Sequence, residues 1–153
     1  MKIFALSFAL AMFAGVAMVP FDHALAIDKI TSTDAPDLAS VRAKIKARDF
    51  AAALAELEPL LVTHQHADVY NLMGFSLRKT GDYKQAYTFY RKALDFDPEH
   101  KGALEYLGEL YVETGQIEKA KENVALLEKL CPNGCEELAD LKEAVAKASQ
   151  KSN

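Results

Sequence analysis

Residues 67–134 carry the same segment twice, 34 residues apart. The copies, Ala67–His100 and Lys101–Gly134, agree at Gly74/Gly108, Thr80/Thr114, Gly81/Gly115, Ala86/Ala120 and Pro98/Pro132. Small residues, turn formers and a proline thus recur where a helical hairpin needs close approach, a reversal and a stop. A period of 34 predicts stacked helix–turn–helix units. Units of this kind hold other molecules more often than they transform them, so the expectation is a binding scaffold with an unspecified partner.

Apolar spacing supports helices along the rest of the chain. In the better-defined copy, Tyr70, Met73, Gly74 and Leu77 fall on one helix face, and Gly81-Asp82 makes the turn. Tyr83, Ala86, Tyr87, Tyr90, Ala93 and Leu94 then form the apolar face of a second helix. Asp97-Pro98 stops it, because proline lacks an N–H and disfavours helix in the residue before it. The next copy repeats the plan with Leu104, Leu107, Gly108 and Tyr111, then Ile117, Ala120, Val124 and Leu127. Upstream, Leu38, Val41 and Ile45, followed by Phe50, Ala53, Leu54, Leu57, Leu60 and Leu61, predict a divergent first hairpin with its turn at Arg48-Asp49. Asp34 or Asp37 is the expected cap of its first helix, with Pro36 in the first turn. Downstream, Leu138, Leu141, Ala144, Val145 and Ala148 give 136–153 the pattern of a helix with one apolar face, as the end of a stack requires.

The ends and the charge bound the rest. Met1-Lys2, the apolar run Ile3 to Val19, Pro20 and Ala24-Leu25-Ala26 match a secretory signal peptide cleaved after Ala26. A retained anchor is the competing reading, since the run is at the short limit of the ~17–25 residues a span needs. Residues 27–36 are polar and rich in turn formers, and read as a flexible lead-in. The net charge of −4 and the lack of a basic stripe argue against nucleic acid. No later stretch is apolar enough to span a bilayer.

The repeated segment resembles the tetratricopeptide repeat. Residues 67–100 carry the resemblance through Tyr70, Gly74, Leu77, Ala86, Tyr90, Ala93 and Pro98, and residues 101–134 through Leu107, Gly108, Tyr111, Ala120 and Pro132. Residues 34–66 match only around Phe50, Ala53 and Leu57. The later copy departs from the pattern with Val124 and Leu127, so its packing on the next helix is expected to differ. The resemblance implies an all-α, right-handed α-solenoid of about three hairpins over 37–135, closed by a capping helix. It also implies a non-enzymatic protein–protein interaction module of the periplasm, with no cofactor. Gly74 and Gly108 are expected to let the two helices of their own hairpins approach closely.

In this family the first helices of successive hairpins line a concave groove. Carried onto this chain, the groove-facing positions are Arg42 and Lys46, then Asn71, Phe75, Arg78 and Lys79, then Glu105, Tyr106, Glu109 and Glu113. The implied groove has two signs, with Arg78 and Lys79 holding acidic groups of a peptide and the three glutamates holding basic ones. Phe75 and Tyr106 supply apolar contact. Internal pairs such as Arg78–Glu109 on an ordinary surface are the competing reading. Phe89 falls at a position expected to be exposed on an outer helix.

Cys131 and Cys135 are the chain's two cysteines. In an exported protein they most simply form a disulfide that locks the closing helix. A redox-active or metal-binding pair is the alternative function, weakened by spacing that is not Cys-x-x-Cys. His64, His66 and His100 fall in turns on one edge of the stack. Neighbouring turns there are about 8–10 Å apart, too far for one metal site. No nucleophile, phosphate loop or general base is recognisable. Self-assembly into a structural array is a third, weaker reading.

Overall fold

The computed structural model describes residues 35–151. The expected signal segment, residues 1–26, and Asp34 lie outside these residues. Among the described residues seven helices follow one another: α1 (Ala39–Lys46), α2 (Phe50–Thr63), α3 (Ala67–Lys79), α4 (Tyr83–Phe96), α5 (Lys101–Glu113), α6 (Ile117–Leu130) and α7 (Glu136–Lys151). α3 lies against α2 and α4, α5 lies against α4 and α6, and α7 packs on both α5 and α6. Three hairpins are therefore stacked in chain order and closed by a single helix.

The reversals show why these residues turn. Gly81 and Gly115 have φ of 90° and 75°, and Arg48 takes the same place in the first hairpin at φ 61°. Glycine reaches this region freely, whereas a side chain there meets the following carbonyl at a cost of roughly 1–2 kcal/mol. Asp49 and Asp82 follow directly and cap α2 and α4, accepting from the Ala52 and Gln85 N–H groups at 3.0 Å. At the start of the stack, α1 begins at Ala39, two residues after Asp37, whose carboxylate accepts from the Ala39 N–H at 2.9 Å. Pro36 precedes the helix rather than opening it. The first unit is a residue shorter than the second: residues 64–66 link α2 to α3, whereas residues 97–100 link α4 to α5. No Asp-Pro is present in the shorter link.

Small residues hold the helices close. Ala53, Ala86 and Ala120 occupy matching places in α2, α4 and α6 and are all fully buried. A Cβ on Gly74 would come within 2.7 Å of the Tyr90 ring, so this glycine does allow its hairpin to close. Gly108 behaves differently. A Cβ there would come within 2.5 Å of Leu141, on α7, so this glycine serves the closing helix and not its own hairpin. The cause is Val124, which replaces the aromatic at the position of Tyr90 and leaves space above Gly108. Leu141 fills it and is fully buried, in one cluster with Leu104, Leu127, Cys131 and Leu138.

Two outer-face expectations change. Phe89 is partly buried and stacks on Tyr70 with centroids 6.3 Å apart, and it also packs against the apolar cluster built by α1, α2 and α3. Tyr83 and Tyr87, placed on the apolar face by spacing, are about two-fifths exposed. The Tyr87 ring leans on Tyr111 with centroids 6.3 Å apart. The Sγ atoms of Cys131 and Cys135 lie at disulfide distance, 2.22 Å, with Cα atoms 5.8 Å apart, between α6 and α7. Among the described residues no helix is long and apolar enough to cross a membrane.

Candidate functional site

The first helices of the hairpins bring most of the expected groove residues onto one wall. Phe75 is central. Its ring lies 4.8 Å from Tyr106 on α5 and 6.3 Å from Phe50 on α2. A cleft of about 220 Å³ opens over this pair, lined by Arg42, Ile45, Lys46, Leu72, Phe75 and Tyr106. Arg42 and Lys46 are exposed at its rim, and the Lys79 ammonium lies 5.2 Å above the Phe75 ring. Three cations thus edge two half-buried rings, an arrangement that can take an aliphatic or aromatic side chain and hold an acidic neighbour. Ile45 and Leu72 also line the cleft, and their apolar side chains carry no sequence signal that separates a groove floor from an interior.

Arg78 has a different place. Its side chain is 1% exposed, donates to Glu113 at 2.6 Å and also pairs with Glu109. Its Nε donates to the Tyr90 hydroxyl at 3.3 Å. Burial alone would weaken its hold on the proton, but Tyr90, Glu109 and Glu113 outweigh that and keep it charged. The guanidinium expected to receive a ligand's acid is occupied within the chain, where it ties α3 to α5. Glu109 and Glu113 are correspondingly occupied by Arg78.

Glu105, one turn earlier on α5, is left out of this pairing. It is 7% exposed, and burial, with Glu109, Asp140 and Glu137 around it, pushes its carboxyl up to about 8. Asn71 is the fifth residue of α3, Glu105 the fifth of α5 and Asp140 the fifth of α7. The three therefore continue one register across the groove. A second cleft, of about 300 Å³, opens beside them and is shared by Arg42, Asp68, His100, Glu136 and Glu137. In the sequence nothing but their place in the repeat separates the acids of α7 from ordinary solvated surface. The signal that could have found them is the repeat itself, extended once more past the Cys131–Cys135 linker.

At the edge of the stack the histidines cap helices. His66 Nδ1 accepts from the Asp68 N–H at 3.2 Å, and His100 Nδ1 accepts from the Ala103 N–H at 3.0 Å. The second contact leaves the His100 proton on Nε2, facing the Asp68 carboxylate at 3.2 Å. That hydrogen bond, with the charge of Arg42 nearby, holds the Asp68 carboxyl below the usual range against the effect of burial. Among the described residues no three His, Cys, Asp or Glu side chains converge closely enough for a metal ion.

Stacked antiparallel hairpins whose first helices line a common groove define an α-solenoid repeat protein. The family model described as tetratricopeptide repeat matches residues 77–146, from the end of α3 through most of α7. Over those residues the chain is similar to the tetratricopeptide repeat family. Among solved structures, the crystal structure of PcrH in complex with the chaperone binding region of PopD is similar, with a TM-score of 0.63 at 14% identity. The match covers 75% of this chain and 90% of that one. No curated protein matches the chain.

Proposed function

We propose that this protein is a non-enzymatic adaptor that binds a segment of a partner protein across the groove formed by α1, α3 and α5. The observation that carries the reading is the half-buried Phe75–Tyr106 pair, 4.8 Å apart, framed by Arg42, Lys46 and Lys79. Rings left partly open and edged by cations suit an apolar anchor residue with acidic neighbours. The similar fold of PcrH, solved with the chaperone binding region of PopD, supports a groove that accepts a peptide.

We further propose that the protein acts in the periplasm after cleavage at Ala26. The signal-like start and the Cys131–Cys135 pair at disulfide distance support an oxidising destination. Sequencing the amino terminus of protein recovered from cells tests this, with Ile27 as the expected first residue and Met1 as the result against it. The alternative role in redox or metal handling is not favoured, because Cys131 is 6% exposed and an incoming thiol or metal has little access to it.

Groove recognition is tested by immobilising the protein beside a Lys46→Glu/Lys79→Glu variant and capturing partners from a periplasmic extract. Both lysines are exposed, so the variant keeps its fold. A protein held by the native form and released by the variant is expected. An identical set on both places recognition elsewhere.

A further inference from the structure

The groove's acids divide into two groups. On α5, Glu109 and Glu113 are both paired with Arg78. In the second cleft, Asp68 has Arg42 at 3.4 Å and His100 at 3.2 Å. Glu105, Glu136, Glu137 and Asp140 line that same cleft, yet none of them makes an ion pair with another described residue. An unpaired carboxyl that is only 7% exposed, as Glu105 is, is costly unless something meets it.

A second observation is independent of the acids. Asn71 is 5% exposed and lines the cleft, and its Oδ1 is buried with no hydrogen-bond partner among the described residues. Buried amide oxygens are nearly always partnered in folded proteins, so this one, on a residue in the wall of a cleft, calls for a donor that the described residues do not supply. Four unpaired carboxyls and one unpaired amide oxygen suit an occupant that is cationic and rich in N–H. A metal ion is a poor fit, because the carboxyls do not converge. An extended cation with several donors spans them better.

We propose that the cleft between α3, α5 and α7 receives the cationic end of a basic side chain, arginine or lysine, on the partner segment that occupies the groove. Glu105 and the Asn71 Oδ1 accept from its innermost N–H groups, and Glu137 and Asp140 supply the outer field. The site rests on the peptide-binding reading above and adds its polarity. A bound segment places its apolar anchor at Phe75–Tyr106 and a basic residue toward α7. The elevated proton affinity of Glu105 accords with this, since a cation in the cleft replaces the proton.

The test uses the whole protein and three short probes: acetyl-Ala-Arg-Ala-amide, the same peptide with neutral citrulline, and the same peptide with glutamate. Binding is followed at low salt by the methyl resonances of Leu72, which lines the cleft. The arginine probe is expected to shift them saturably, with citrulline and glutamate at least about tenfold weaker. Glu105→Gln should weaken the arginine probe by a similar factor while retaining a native spectrum, since it removes an unpaired buried acid. Glu118→Gln, on the outer face of α6, should change nothing. An arginine probe no tighter than citrulline, or unaffected by Glu105→Gln, overturns the proposal. If that happens while partner capture still depends on Lys46 and Lys79, the cation site alone falls. If capture is lost as well, the groove reading falls with it.

Discussion

Arg78 on α3 donates to Glu113 on α5 at 2.6 Å, joining the second hairpin to the third through a cation with almost no exposure. Glu109 and the Tyr90 hydroxyl share the same guanidinium. Removing it leaves two neighbouring carboxylates and a buried phenol without their common partner. Arg78→Met is therefore expected to cost about 3 kcal/mol or more. Arg78→Lys should recover only part, because one ammonium does not span three acceptors. Urea unfolding measures both, and an Arg78→Met variant as stable as the parent contradicts a structural role.

Glu105 predicts a pH dependence of opposite sign to the usual carboxylate. Its native carboxyl is raised to about 8, against an unfolded value near 4.3. Between those limits the native state holds a proton that the unfolded state has lost, so stability falls as pH rises through the window and levels off above it. Glu105→Gln should match the parent at about pH 4 and exceed it by roughly 1–3 kcal/mol at pH 9. Denaturant midpoints at the two pH values decide this. A constant difference between variant and parent means that Glu105 ionises as an ordinary surface acid.

Gly108 and Leu141 should be coupled. Gly108→Ala forces a Cβ into the Leu141 methyls and should cost about 1–3 kcal/mol. Leu141→Ala empties a fully buried site and should cost about 2–5 kcal/mol. In the double variant the clash is gone, so the summed cost should exceed the measured one by about 1 kcal/mol. Strict additivity means that α7 moves aside at no cost. Gly74→Ala has no such relief from Leu141→Ala, because its obstacle is the Tyr90 ring.

The Cys131–Cys135 pair closes a short loop at the start of α7. Reduction is expected to lower stability by about 2 kcal/mol, with amide exchange rising first in α7. A thiol count on oxidised protein should be zero. Two free thiols, or no loss of stability on reduction, remove the locking role.

The repeat period made the hairpins legible, since Gly81 and Gly115 mark turns and Ala53, Ala86 and Ala120 mark close contacts wherever they recur. The placement of Phe75, Tyr106, Arg42 and Lys46 around one cleft also followed from the repeat register. The sorting of charges did not. Arg78 and Lys79 are adjacent in sequence, yet a rotation of about 100° per helical residue turns Arg78 toward Glu109 and Tyr90 and leaves Lys79 in water. Glu105, Glu109 and Glu113 share a face by spacing, but only the three-dimensional reach of Arg78 separates the first from the other two. His66 and His100 as caps were hidden for another reason: imidazole is an uncommon cap, and its tautomer is fixed by backbone contacts that no spacing records.

The most direct test of groove recognition is site-specific photocrosslinking in living cells. A benzophenone amino acid replaces Phe75 in the groove in one variant and Tyr87 on the exposed outer face in another. Discrete crosslinked partners from position 75, absent from position 87 and abolished by Lys46→Glu/Lys79→Glu, are the predicted result. Crosslinks from position 87 alone, or none from position 75 in a folded variant, contradict the groove as the binding surface.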